Sequence, residues 1–130
     1  MGVGASPPEA LAGREGQTFS VGNYVCNAES GPLEGATFTG SNIWHWNSGN
    51  ATFVSGNGVA RKPGAQAVYE TTTGKMKLLM NGNQVVGFEG EGKGIYRVAT
   101  GSAAALEGKT VSYKFKSTGP GRFEVVSTVD

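Results

Sequence analysis

Residues 75–89, KMKLLMNGNQVVGFE, decide the fold class of this chain. Charged and apolar side chains alternate over residues 75–80, which is the period of a β-strand with one buried face. Asn81-Gly82-Asn83 follows, and Asn-Gly supplies the positive φ angles that a tight β-turn needs. The stretch therefore predicts a β-hairpin in which residues 75–80 pair with residues 84–89.

Short strands of this kind recur along the chain. Glycine occurs 22 times in 130 residues, and it falls mostly between segments rich in Val, Thr, Phe and Tyr, which is typical of an all-β meander. The clearest segment is 110–116, where Val111, Tyr113 and Phe115 share one face. The predicted strands are residues 18–26, 37–47, 51–61, 67–73, 75–80, 84–89, 94–100, 110–116 and 122–129.

Glycine also marks the expected turns. Gly74 is expected to close strand 67–73 onto strand 75–80. In residues 87–94, GFEGEGKG, an extended chain would put its glycines on one bare face. We interpret this stretch as two strand ends joined by a tight turn, and the alternative is a backbone that a ligand approaches closely. The only helical signal is one turn at 102–107, which Ser102 is placed to cap.

The connections are too short for crossover helices, which favours antiparallel pairing. Antiparallel strands in chain order leave two exposed edges unless the sheet closes on itself. We therefore predict an all-β fold, a small closed antiparallel up-and-down β-barrel of about eight strands, with a two-sheet β-sandwich as the alternative. Residues 1–16 are predicted to be a flexible N-terminal segment and residues 17–130 a single β-barrel domain.

The amino-acid composition excludes several classes of binding partner and active site. The formal net charge is +1, and the scattered Lys and Arg argue against binding nucleic acid or anionic lipid. One His, one Cys and one Asp, the terminal Asp130, leave too few groups for a transition-metal cage. They also exclude a Ser-His-Asp triad unless a Glu replaces the Asp. We expect no metal, no cofactor, no disulfide, no nucleic-acid partner and no membrane insertion. The expected protein is soluble, in the cytoplasm, or in the periplasm or outside the cell after loss of a leader.

The only histidine, His45, lies between the only two tryptophans, Trp44 and Trp46. In a strand the two indoles share one face and the imidazole takes the other. We expect the indoles inside, as core or as the wall of a pocket, because they bury more apolar area. A bulge within residues 43–47 would be needed to bring His45 to the same side.

The remaining candidates are polar or aromatic residues of the predicted strands. An inward Glu70 beside Arg97 would be a buried acid-base group or polar anchor, whereas an outward Glu70 is simply solvated. The candidate catalytic residues are His45, Glu70 and Arg97. The candidate ligand-binding residues are Trp44, Trp46, Tyr24, Tyr69, Tyr96 and Phe88.

Residues 92–98, GKGIYRV, followed by Thr100-Gly101 and Leu106-Glu107-Gly108, resemble the strand, glycine corner, strand rhythm of allene oxide cyclase-like chains. The glycine-punctuated meander also loosely resembles the small calycin-like barrels, although the Gly-x-Trp of lipocalins is replaced here by Gly16-Gln17-Thr18. The resemblance implies a barrel that holds a small, mostly apolar molecule in its mouth. It carries no catalytic motif.

These observations predict binding of a small, mostly apolar or aromatic molecule in the mouth of a β-barrel. One alternative is a cofactor-independent isomerase, cyclase or lyase that acts on a small hydrophobic substrate in the same cavity. A second alternative is a structural or carbohydrate-interaction module. The shortage of catalytic groups favours binding over catalysis, and a flat outer face leaves a homodimer open.

Overall fold

The computed structural model describes residues 2–5 and 9–130. In this part of the chain nine antiparallel strands form a single sheet, and β3 to β9 follow each other in chain order. A short 3-10 helix, Ala104–Leu106, lies between β7 and β8. The strands are β1 (Gly2–Ala5), β2 (Glu9–Ala10), β3 (Gln17–Asn27), β4 (Thr37–Asn47), β5 (Asn50–Lys62), β6 (Ala65–Asn81), β7 (Gln84–Gly101), β8 (Thr110–Gly119) and β9 (Arg122–Val129).

The sheet curls without closing into a barrel. The inner rings of Tyr24 on β3 and Phe123 on β9 meet edge to face with centroids 6.3 Å apart. However, β1 pairs with β3 over four positions and with β9 only where Gly2 lies opposite Arg122. The four residues of β1 are too few to pair along the eight residues of β9. The described strands thus form no continuous ladder across this seam, and the predicted closed barrel is wrong.

The predicted sandwich is also wrong, since one sheet holds every strand that the structure describes. The two strands β1 and β2 lie within residues 1–16, and both pair with β3. Residue 1 and residues 6–8 of that segment lie outside the described residues. The flexibility of the N-terminal segment therefore stays a prediction.

Gly74 does not form a turn, because β6 runs unbroken from Ala65 to Asn81. A Cβ at Gly74 would lie 3.2 Å from the Trp44 ring, 3.3 Å from the Cβ of Phe53 and 3.4 Å from the Tyr113 hydroxyl. The glycine is explained by this crowded inner face and not by a reversal of the chain. The predicted hairpin between strands 67–73 and 75–80 is therefore wrong.

The glycine-rich stretch 87–94 likewise lies inside one long strand, β7. Gly90 pairs with Phe115 and Gly92 pairs with Tyr113 on β8, and a Cβ at either glycine would collide with the facing aromatic ring. The predicted turn is wrong because β8 covers the bare glycine face. The chain's own rings occupy the space that a ligand would otherwise approach.

The two ends of the curled sheet differ. At one end, here called the capped end, the long connections 28–36 and 102–109 fold over the inner face and bury Leu33 and Leu106. At the other, the open end, the turns 48–49, 82–83 and 120–121 have two residues each. The buried core cluster at the capped end consists of Leu33, Ala36, Ala60, Ala65, Ala67, Tyr96, Ala99, Ala103, Leu106 and Val111.

The predicted helical turn at 102–107 corresponds to the 3-10 helix at the capped end. Its N-cap is Ala103, which makes no side-chain capping hydrogen bond. The prediction that Ser102 caps it is therefore wrong. Instead, Leu106 and Ala103 anchor the turn through their burial in the core cluster.

The molecule has a large accessible surface for its size. Its accessible surface is 7901 Å², whereas scaling with mass gives roughly 6,500 Å² for a compact chain of 13.4 kDa. No large side chain of the described residues is fully buried. Solvent therefore reaches much of the inner face away from the capped end.

Candidate functional site

The Trp44-His45-Trp46 segment keeps regular strand geometry. The ladder between β3 and β4 is unbroken from Gln17 opposite Asn47 to Asn27 opposite Thr37. The register shift at Ile43/Trp44 leaves the extra residue, Val54, on β5 and not on β4. Both indoles therefore face inward and the imidazole faces outward, since nothing in β4 breaks the alternation.

The inward and outward side chains have different surroundings. Trp44 is only 6% exposed, and the indole N–H of Trp46 donates to Ser20 Oγ at 2.8 Å. His45 is half-buried on the outer face, where its Nε2 lies 2.8 Å from Gln17 Oε1. The imidazole therefore lies on the outer face of the sheet, and the two indoles lie on the inner face.

Glu70 and Arg97 form an ion pair, with Arg97 Nε donating to Glu70 Oε2 at 2.8 Å. Their side chains are 49% and 53% exposed respectively, and both project from the outer face. The bulge between Val68/Tyr69 and the facing residues of β7 brings Arg97 beside Glu70. All three predicted catalytic residues, His45 included, therefore lie on the side of the sheet away from the inner aromatic rings.

All four tyrosines of the chain lie on the inner face, and two of them join hydroxyls across the curl. Tyr24 Oη forms a short hydrogen bond with Tyr69 Oη. Burial raises the pKa of Tyr24, Tyr69 and Tyr96 above the ordinary value. Burial likewise raises the pKa of Tyr113 to about 12. At neutral pH these phenols stay protonated, so they can hydrogen-bond but not act as bases.

A cluster of aromatic rings, here called the open-end cluster, spans the inner face near the open end. The Trp44 ring packs against Phe53 at 5.8 Å and against Phe115 at 6.1 Å. Phe88 bridges Phe115 and Phe123, at 6.2 Å from each. These five rings come from five strands, and Trp46 lies one inner-face position nearer the open end. Apart from Trp44, all of them are partly exposed.

The predicted ligand-binding residues do not form a single group. Trp44, Trp46 and Phe88 belong to the open end, and Tyr24 touches the same region through Phe123. Tyr69 packs against Tyr96 at 6.4 Å. Tyr96 is 7% exposed within the core of the capped end, where no ligand reaches it without displacing the caps.

Sequence reasoning missed three members of the open-end cluster, Phe53, Phe115 and Phe123. The signal was present for Phe115, because the alternation in residues 110–116 already puts it on the inner face with Val111. For Phe53 and Phe123 the alternation of their strands marks the same face once one inner residue of each strand is known.

The outer face of β6 to β8 carries a ladder of alternating charges. Lys75 lies 3.2 Å from Glu91, and Lys77 lies 3.1 Å from Glu89. Lys114 and Lys116 stand opposite the same two glutamates on β8. Shallow grooves run along this face and along neighbouring β9. Glu89 and Glu91 therefore each form an ion pair with a lysine of β6 on the exposed face.

Other kinds of site find no support among the described residues. No group of His, Cys, Asp and Glu side chains in residues 9–130 is arranged to hold a metal ion, and Cys26 is free and buried. No helix in this part of the chain has the length and apolarity to span a bilayer. Comparison with family models, curated proteins and solved structures gives no match. The resemblance to calycin-like and allene oxide cyclase-like chains stays a prediction.

Proposed function

We propose that this protein binds a small, flat, mostly apolar or aromatic molecule at the open end of its curled sheet. The observation that carries the proposal is the difference between the two ends. At the capped end Leu33 and Leu106 bury the inner face, whereas at the open end Trp46, Phe88 and Phe123 remain partly exposed.

The chemistry of the open end fits such a ligand. Aromatic faces gain free energy from stacking with a flat apolar molecule beyond the area they remove from water. Because Trp44, Phe53 and Phe115 already contact one another, the ligand lies on the outermost rings and not deep inside. The hydrogen bond from Trp46 to Ser20 holds one indole in place, which lowers the conformational entropy lost on binding.

The geometry favours binding over the isomerase alternative. Such an enzyme needs polar groups free to polarise a substrate carbonyl or enol. The two tyrosine hydroxyls that converge on the inner face, those of Tyr24 and Tyr69, bond to each other. Glu70, Arg97 and His45 lie on the outer face.

The test is titration with 8-anilinonaphthalene-1-sulfonate, an aromatic dye, while following dye emission and energy transfer from tryptophan. We expect saturable binding that Phe88→Leu weakens about tenfold, since one ring contact is lost. The matched control is Phe19→Leu, because Phe19 is also partly exposed but lies opposite His45 on the outer face. Thermal melts confirm that both variants fold. Absence of saturable binding, or equal weakening by the control, overturns the proposal.

A further inference from the structure

The β6–β7 hairpin extends beyond β5 at the open end. The ladder between β5 and β6 ends where Asn50 lies opposite Lys77. The last backbone contact there is the bond from the Leu78 amide to the Gly49 carbonyl, at 2.9 Å. Three further residues of β6, 79–81, pair only with β7, which is about 10 Å of strand.

This tip, residues 78–88, carries no charge, and six of its eleven residues are apolar. Its sequence is LLMNGNQVVGF, and Met80, Val85 and Val86 are 53%, 53% and 59% exposed. Met80 stands opposite Val85 on the inner-face side, while Leu79 alternates to the other side. The ribbon thus presents apolar side chains on both of its faces.

Basic residues surround the base of the tip. Segments 75–77, 89–93, 114–116 and 122–124 of strands β6 to β9 carry six cations and three carboxylates, a formal charge of +3, while the chain as a whole has +1. The remainder of the chain is therefore net negative, by two charges. The scattered positions of these residues in the sequence hide this grouping. The residues are Lys75, Lys77, Lys93, Lys114, Lys116, Arg122, Glu89, Glu91 and Glu124.

These features together indicate what kind of partner covers the tip. A flat protein surface would cover one face of the ribbon and leave the other exposed, whereas the interface of a bilayer surrounds both. Positive charge behind an apolar tip is attracted to anionic headgroups within about a Debye length. We propose that the tip of the β6–β7 hairpin inserts into the interface of an anionic lipid bilayer.

This proposal does not rest on the proposed ligand. It replaces the sequence-based expectation of no membrane insertion. That expectation depended on the scattered positions of the lysines in the sequence and on the lack of a long apolar segment. The open-end cluster lies at the same end of the sheet as the tip. Docking in this way would bring the half-exposed rings to the lipid surface.

The test is co-sedimentation of the full chain with phosphatidylcholine vesicles, prepared with and without phosphatidylserine. We expect binding to the anionic vesicles that added salt weakens. The paired change Val85→Asn and Val86→Asn should weaken it about tenfold, since two apolar side chains no longer leave water. The matched control is Val25→Asn and Val98→Asn, because these two are similarly exposed, at 49% and 47%, but lie towards the capped end.

A second readout is the emission of V86W, which should shift to the blue on anionic vesicles. Failure of the wild-type chain to sediment with either vesicle overturns the proposal, as does equal loss in tip and control variants. Sedimentation velocity without lipid is the remaining measurement. Self-association that the tip variant abolishes would identify a second copy as the occupant and also overturn it. A chain that binds the dye but no vesicle keeps the proposed function and loses only this inference.

Discussion

Tyr69 lies across Gly58, its partner on the neighbouring strand, so that the phenol ring rests on the glycine backbone. A Cβ at Gly58 would lie 2.5 Å from Cζ of Tyr69 and 2.6 Å from the Thr39 carbonyl oxygen. The same arrangement recurs where Tyr24 covers Gly40, Phe115 covers Gly90 and Tyr113 covers Gly92. Aromatic rings placed over glycines are a known device for filling a curved sheet.

The first prediction concerns this close approach. Gly58→Ala should destabilise the protein by about 1–3 kcal/mol because the methyl group overpacks the inner face. Urea unfolding measures the change. The control is Gly119→Ala, where the added Cβ meets nothing within 4 Å, and its expected effect is within about 0.5 kcal/mol. A neutral Gly58→Ala would show that the ring is free to move aside.

The second prediction concerns the paired hydroxyls of Tyr24 and Tyr69. Removing either hydroxyl, by Tyr24→Phe or Tyr69→Phe, should cost about 1 kcal/mol because the remaining partly buried hydroxyl loses its partner. The double variant should cost less than the sum of the two single ones. A double-mutant cycle by urea unfolding measures this coupling, and strictly additive losses would contradict the bond.

The third prediction concerns alkaline pH. Burial raises the pKa of Tyr113 to about 12, and the unfolded value is about 10. Between these two pKa values the folded state keeps the Tyr113 proton while the unfolded state releases it. The contribution of Tyr113 to the free energy of unfolding is therefore complete below pH about 10 and is lost as pH rises through about 12. Burial raises the pKa of Tyr69 further, so the loss of stability continues to higher pH.

Urea unfolding between pH 9 and pH 12 measures this dependence. Tyr113→Phe should flatten the fall in stability above pH 10, since it removes one linked proton. The variant leaves every other titratable side chain of the protein in place. An identical pH dependence in the wild type and Tyr113→Phe would refute the assignment.

The fourth prediction concerns the outer ion pair of Glu70 and Arg97. Because both side chains are about half exposed, Glu70→Gln should cost less than about 1 kcal/mol, and the cost should shrink as salt is added. Thermal melts at low and high ionic strength measure it. A loss well above this value would mean that the pair supports the bulge beside Tyr69.

The sequence predicts local structure well where a strand alternates and ends in a decisive turn. The hairpin at Asn81-Gly82-Asn83 is confirmed, since residues 77–81 pair with residues 84–89, although Lys75 and Met76 pair further along β7 with Glu91 and Gly90. Val111, Tyr113 and Phe115 share the inner face as expected. The inward direction of Trp44 also follows from alternation and burial alone.

The two wrong turn predictions have one physical origin, the double meaning of glycine. Gly74 and the glycines of residues 87–94 indicate turns in the sequence because glycine tolerates unusual backbone angles. They are in fact strand residues whose missing side chains make room for Trp44, Tyr113 and Phe115. Only contacts between distant strands distinguish the two uses. The prediction of a closed sheet is wrong for a different reason, because closure depends on the length of β1 at the seam.

The aromatic rings that cover glycines make this sheet suitable for the design of cavities. Truncating one ring, as in Phe115→Ala, would open a hollow whose floor is the bare backbone of Gly90 on β7. The depth of that hollow is set by a side chain, and the strand beneath it need not move. New cavities can therefore be designed into this scaffold one aromatic residue at a time.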